Sequence, residues 1–353
     1  MTQTSLEEYG FVPFFAQQAT ADELQQGLIA RVTEVQRSLV IVFDGFAERP
    51  VELAPALQEA APEQRPTVGD WVTLDHKQSR AERVLERKSV FTRLAPGRKT
   101  GIQLIAANVD VLLVVTSCNE EFRESRLERY LALATEAGVT PVIVLTKADL
   151  SDAADSYAAR ARRVQTNVPV ELVNARDKSS LGGVKAWIEA AGTIALVGSS
   201  GVGKSTLLNT LAESALSATS EIREDDKKGR HTTTHRALHR IPGVGLLIDV
   251  PGMRELKIAE VDTALAAVFD DIEAIASACR FSDCRHESEP GCAVRKAVAE
   301  GAIDARRLRN YRKLLRENER HNASLAERRS QDRALGKHYR RVMAEKKDER
   351  KQR

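Results

Sequence analysis

The rhythm of apolar and polar residues changes twice along the chain. From about Gly27 to Val90 short alternating runs, "GLIARVTEV", "SLVIVFDG" and "DWVTL", are separated by Gly, Pro and Asp. Period-two alternation cut by turn residues predicts short antiparallel strands that close into a small all-β barrel. From about Asn108 the runs become continuously apolar, as in "VDVLLVVTS", "TPVIVLTK", "VELVNA", "GTIALVG" and "VGLLIDV". Helical stretches such as "ESRLERYLALATEAG" separate most of them, and this alternation predicts a parallel sheet with helices on both faces. A helix-rich segment follows Met253, and beyond Arg320 large apolar residues are too few to build a core. The organisation expected is an N-terminal extension over 1–26, a barrel over 27–95, an α/β domain over 96–256, a helical domain over 257–320 and a basic tail over 321–353.

Composition narrows the class. With 353 residues, 42% hydrophobic and 29% charged, the chain can bury a sizeable core in several domains. The start "MTQTSLEEYG" has no basic region followed by an apolar core, and no apolar run is long enough to cross a bilayer, so the expectation is a cytoplasmic protein without a membrane partner. Charge is segregated: between Arg306 and Arg353 there are 18 Lys plus Arg against 7 Asp plus Glu, whereas the whole chain carries only +3. The basic end is either a solvated helical tail or a contact for a polyanion. Four cysteines in so long a chain do not make a disulfide framework, and a close cluster of them points to metal.

The sharpest signal is "GSSGVGKST". Gly198, Gly203, Lys204 and Ser205 satisfy G-x-x-x-x-G-K-[ST], with the strand "TIALV" leading in and the helix "TLLNTLAES" leading out. The backbone of Gly198, Ser199, Ser200, Gly201, Val202 and Gly203 can turn its amides toward phosphates, with Thr206 beginning the helix. Lys204 neutralises β- and γ-phosphate charge, and Ser205 ligates Mg²⁺. "DVPGM" ends a later strand: Asp249 can hold Mg²⁺ through water, and the amide of Gly252 can reach a γ-phosphate. "TKAD", from Thr146 through Lys147 and Ala148 to Asp149, selects the base, because the Asp149 carboxylate can accept from guanine N1 and N2 where adenine offers no such pair. "VNAR" ends the next strand and can bring the amide of Ala175 to the base.

These motifs come in a shifted order. An ordinary GTPase runs phosphate loop, switch I, D-x-x-G, base-reading motif and Ala-bearing loop; here the last two come first while the cyclic order is kept. The expected fold is a circularly permuted P-loop GTPase, tolerable because ligand loops all lie at the carboxyl ends of parallel strands and chain ends of compact domains lie near one another. Two further patterns carry chemistry. Cys279, Cys284, His286 and Cys292 give C-x4-C-x-H-x5-C, four soft ligands suited to one closed, structural Zn²⁺, whereas Cys118 stands apart as a core residue. After D-x-x-G, where many GTPases place a water-orienting Gln, stands Met253. His231, in "GRHTTTH", is the residue chosen instead to orient water, and one of Thr232, Thr233 and Thr234 supplies the second Mg²⁺ oxygen, Thr233 or Thr234 ahead of Thr232.

Barrel, "IAANVDVLLVVTS", "TKAD", "GSSGVGKST", "GRHTTTH", "DVPGM" and the Cys/His cluster, in this order over nearly the whole chain, resemble the circularly permuted GTPases that act late in assembly of the bacterial small ribosomal subunit. The resemblance implies an OB-fold first domain, a zinc-binding third domain, His231 as the hydrolytic residue, and a slow GTPase stimulated by the small (30S) subunit that helps release assembly factors. It also makes 16S ribosomal RNA the leading partner, for a barrel face, a zinc module and a basic tail that can all meet phosphate or bases. The protein is expected to be a monomer handling GTP and GDP. A signalling or RNA-binding GTPase switch outside ribosome assembly is the competing expectation.

Overall fold

The computed structural model describes residues 5–36, 38–94, 102–190, 192–212, 237–241, 245–249 and 262–319. The alternating region forms β1 (Ile29–Val35), β2 (Leu39–Phe43), β3 (Glu48–Leu53), β4 (Trp71–Leu74) and β5 (Arg80–Val84). Antiparallel pairs join β1 to β2, β2 to β3, β4 to β5 and β1 to β4, and a parallel pair joins β3 to β5, so the pairings close a ring. Every second side chain faces inward, which gathers Val32, Val40, Val42, Val51, Val72 and Ala81 into one apolar filling. The segment before β1 packs on this unit: Tyr9 stacks on Phe43 with ring centroids 3.7 Å apart, and Phe15 is buried beside Trp71.

A hairpin of β6 (Val90–Leu94) and β7 (Ile102–Ala107) leads to the second sheet. Its strands are β8 (Val111–Ser117), β9 (Thr140–Thr146), β10 (Val170–Leu172), β11 (Thr193–Val197), β12 (Ala237–Ile241) and β13 (Gly245–Asp249). They lie side by side as β10-β9-β8-β11-β13-β12, parallel throughout except at β12. The continuously apolar runs follow from burial on both faces: β8 is buried at every position. Leu112 and Val114 turn to a core shared with the helices Glu124–Ala137 and Ala154–Arg162, whereas Leu113 and Val115 turn to a core shared with Gly182–Ala190 and Lys204–Leu211.

The two sheets are one hydrogen-bonded surface. Edge strand β12 pairs antiparallel with β1 at Ala237 and Glu34, and Arg240 on β12 forms an ion pair with Glu8 at 2.6 Å. Arg31 of β1 is fully buried at the same junction. It donates to the Gly69 and Asn108 carbonyls, to Thr193 Oγ1 at 2.9 Å and to the Tyr9 carbonyl. Burial lowers its guanidinium to about 10, partly offset by the fields of Asp110 and Asp70.

The C-terminal helices Asp262–Val268, Asp270–Ala276 and Ala293–Ala299 are followed by a helix over residues 305–319. This last helix docks on Glu124–Ala137 through one buried carboxylate. Glu128 accepts from Arg306, Arg307 and Asn310, and Arg307 also grips Asp271 at 2.8 Å. Among the described residues no helix is long and apolar enough to cross a membrane. The basic tail beyond residue 319 lies outside the described residues.

Candidate functional site

β9, β10, β11 and β13 all point the same way, so the topology brings their carboxyl ends to one edge of the sheet. The loop after β11 is shaped by glycine. Gly198 has φ 149°, and a Cβ there would meet the Val115 carbonyl oxygen at 2.1 Å; Gly203 has φ 94° and begins the helix Lys204–Leu211. Only residues without a side chain fit such a path. Lys204 folds back over the loop, with Nζ donating to the carbonyls of Gly198 at 2.8 Å and Ser199 at 2.6 Å. Its cation and the amide-rich start of the helix therefore present positive potential at one place, the arrangement that receives phosphate. Ser205 and Thr206 stand in the helix's first turn, and Ser200 is exposed on the loop.

The "TKAD" turn is fastened to this loop although about fifty residues separate them. Thr146, the last residue of β9, is fully buried, and its Oγ1 donates to the Val202 carbonyl at 2.5 Å, with the Thr116 carbonyl 3.2 Å away. Lys147 takes a left-handed conformation, φ 58°, and its ammonium donates to the Gly201 carbonyl at 2.8 Å. A non-glycine residue held there marks a local constraint of the kind found at ligand sites. Ala148, Asp149 and Leu150 form a short 3-10 turn that leaves Asp149 exposed.

The loop after β10 joins them from the other side. Ala175 is buried, and its carbonyl accepts from Thr210 Oγ1 at 2.7 Å, a residue in the last turn of Lys204–Leu211. Asp249 ends β13, but its side chain lies outside the described residues, as do Gly252, Met253, His231 and Thr232 to Thr234. Two residues that the sequence did not single out also make contacts at this edge. One is Thr210; the other is Arg126, from Glu124–Ala137, whose guanidinium donates to Ser199 Oγ in the phosphate loop.

A second cluster lies among the C-terminal helices. One ligand atom from each of Cys279, Cys284, His286 and Cys292 falls within 4.8 Å of all the others. His286 Nδ1 is 3.7 Å from Cys279 Sγ and 3.3 Å from Cys292 Sγ, and the sulfurs of Cys279 and Cys292 are 3.9 Å apart. A tetrahedral zinc with its usual bond lengths needs ligand edges of about 3.5–3.8 Å, so the donor set fits the ion. Burial lowers the His286 pKa, the direction that favours the neutral, metal-binding ring, while the Arg295 amide points at Cys292 Sγ from 3.4 Å. Cys118 is buried away from the cluster, where desolvation pushes its thiol up to about 11.

A G-x-x-x-x-G-K-S loop after β11, bonded to a "TKAD" turn that comes earlier in the chain, has the motif order of a circularly permuted P-loop GTPase. Comparisons with known proteins bear on the same fold. A solved structure titled YjeQ from Thermotoga maritima is similar with a TM-score of 0.59 and 25% identity, covering 82% of this chain and 98% of that one. A structure titled YloQ, a circularly permuted GTPase, matches the fold with a TM-score of 0.54. The family model described as RsgA GTPase matches residues 84–259. A relative from Vibrio parahaemolyticus named small ribosomal subunit biogenesis GTPase RsgA 2 is 44% identical over 98% of this chain and 94% of its own length. A Mesorhizobium japonicum relative named small ribosomal subunit biogenesis GTPase RsgA is 44% identical over 90% of this chain and 91% of its own. The chain belongs to the RsgA GTPase family and is a GTP-hydrolysing enzyme.

Proposed function

We propose that this chain hydrolyses GTP to GDP and phosphate in the biogenesis of the small ribosomal subunit, the role carried by its relatives' names. The observation that supports a single guanine-nucleotide site most directly is the pair of bonds from Thr146 and Lys147 to the carbonyls of Val202 and Gly201. On this reading the amides of residues 198–203, the Lys204 ammonium and Thr206 take the phosphates. Asp149 accepts from guanine N1 and N2, the backbone at Ala148 flanks the base, and the Ala175 amide donates to O6. Ser205, Thr233 or Thr234, and Asp249 would hold Mg²⁺, which would supply charge neutralisation on the phosphates. Gly252 offers its amide to the γ-phosphate. His231 orients the attacking water, since Met253 has no group able to do so.

Cys279, Cys284, Cys292 and His286 Nδ1 hold one structural Zn²⁺ that fixes the loop between two helices; four protein ligands leave no position for catalytic water. The ring of pairings β1-β2-β3-β5-β4, closed by β1 and β4, supports an OB-fold reading of the first barrel. Barrel face, zinc module and basic tail together suit 16S ribosomal RNA, with assembly factors displaced as the nucleotide state changes. The protein works as a cytoplasmic monomer.

Single-turnover GTP hydrolysis by the native chain and by His231→Ala, with and without purified small subunits, tests this reading. Subunits should accelerate the native chain, and His231→Ala should keep GTP affinity while losing the acceleration. A rate indifferent to small subunits would contradict it.

A further inference from the structure

The loop over residues 173–177 holds one peptide plane by its carbonyl oxygen. The Asn174 carbonyl accepts from Ser180 Oγ at 2.8 Å and from the Asp177 amide at 3.0 Å. In a trans peptide the next N–H points opposite to that carbonyl, so the Ala175 amide is aimed away from Ser180. Among the described residues this amide has no acceptor. A buried residue with a directed, unused donor is what a ligand acceptor needs.

Beyond that plane the loop is anchored by Thr210, whose hydroxyl reaches the Ala175 carbonyl at 2.7 Å. The same hydroxyl lies 3.0 Å from the Thr206 carbonyl one turn back. A threonine satisfied by its own helix would be the ordinary arrangement, but its single proton lies nearer the partner across the loop. The helix that carries Thr210 begins at Lys204 and Ser205. One rigid element of eight residues thus touches the phosphate end with its first turn and the base end with its last.

We infer that Thr210 is a positioning residue for guanine: it tethers the Ala175 loop to the phosphate-loop helix, so that the Ala175 amide meets the O6 acceptor of a base whose phosphates are held at the other end. The inference rests on the guanine reading given above. The hydroxyl touches no ligand; it fixes the spacing between two contacts that do.

The test compares native chain, Thr210→Val and Thr210→Ser in calorimetric titrations with GDP, IDP and inorganic tripolyphosphate. Val keeps the branched shape and removes the donor; Ser restores the donor. Thr210→Val should weaken GDP and IDP by the same factor, about three- to tenfold, because both bases carry O6 and one hydrogen bond's worth of positioning is lost. Tripolyphosphate binding should stay native even where the buried Ala175 carbonyl, left without its donor, lowers the melting temperature, and Thr210→Ser should recover both GDP affinity and melting temperature. Unchanged GDP affinity in Thr210→Val, or a matching loss for tripolyphosphate, would overturn the inference. The guanine reading itself is judged separately by the native chain, which must prefer GDP to IDP because only guanine has the 2-amino group that Asp149 accepts from.

Discussion

Thr146 Oγ1 donates to the Val202 carbonyl at 2.5 Å, joining the end of β9 to the centre of the phosphate loop. Thr146 is fully buried, so the bond is shielded from water, and Val202 is itself packed in the core beneath the loop. The "TKAD" turn and the loop over residues 198–203 are consequently parts of one rigid piece.

Replacing Thr146 by Val removes the donor, keeps the volume and leaves a buried carbonyl without its partner. A loss of about 1–3 kcal/mol is expected, visible as a lower urea midpoint and as weaker GDP binding in the same variant. A variant that loses stability yet binds GDP as the native chain does would show that the bond is structural only.

Glu128 gives a larger effect. It is fully buried and meets Arg306, Arg307 and Asn310 from the helix over 305–319. Glu128→Ala leaves the guanidinium of Arg307 buried, with Asp271 as its remaining acidic partner, and should cost about 3–5 kcal/mol. Denaturant unfolding would measure it, with the C-terminal helices expected to detach first under hydrogen exchange.

Arg31 predicts an absence of pH dependence. Burial depresses its folded pKa to about 10, below the ordinary arginine value. For a base so depressed, the folded state binds fewer protons than the unfolded state only between those two values, so stability rises with pH in that window alone and is flat below it. Arg31→Met strips donors from the Gly69, Asn108 and Tyr9 carbonyls and should destabilise the junction of barrel and GTPase sheet by a constant amount between about pH 6 and pH 9. A difference that changes across that range would contradict the assignment.

The metal cluster predicts one zinc per chain by elemental analysis. Cys284→Ser, or a strong chelator, should release it and unfasten the loop between Asp270–Ala276 and Ala293–Ala299. GDP affinity should persist, because none of the four ligand residues shares a hydrogen bond with residues 146–149 or 198–206 among the described residues.

What the sequence disclosed and what it hid divide along physical lines. The turn glycines Gly198 and Gly203 and the clustering of Cys279, Cys284, His286 and Cys292 were legible because a glycine-shaped loop and a metal-type donor set impose residue type and spacing within a short stretch. The parallel sheet with helices on both faces followed from apolar runs alternating with helices. Contacts of one side chain with a distant backbone left no pattern: Thr210 with Ala175, Lys147 with Gly201, and Arg31 with four separate segments are single residues in otherwise ordinary contexts. The pairing of β1 with β12 was equally hidden, since an edge strand's partner is chosen by three-dimensional packing and not by periodicity. "VELVNA" reads as a six-residue strand, yet β10 ends at Leu172, because Asn174 turns the chain through its own side chain and through Ser180.

The most direct test of one guanine-nucleotide site is the affinity of Asp149→Asn for GDP and for xanthosine diphosphate. An amide in place of the carboxylate cannot accept from both N1 and N2 but can donate to the C2 carbonyl of xanthine. GDP should weaken by about a hundredfold or more while xanthosine diphosphate gains. Equal GDP affinity in native and Asp149→Asn chains would contradict such a site.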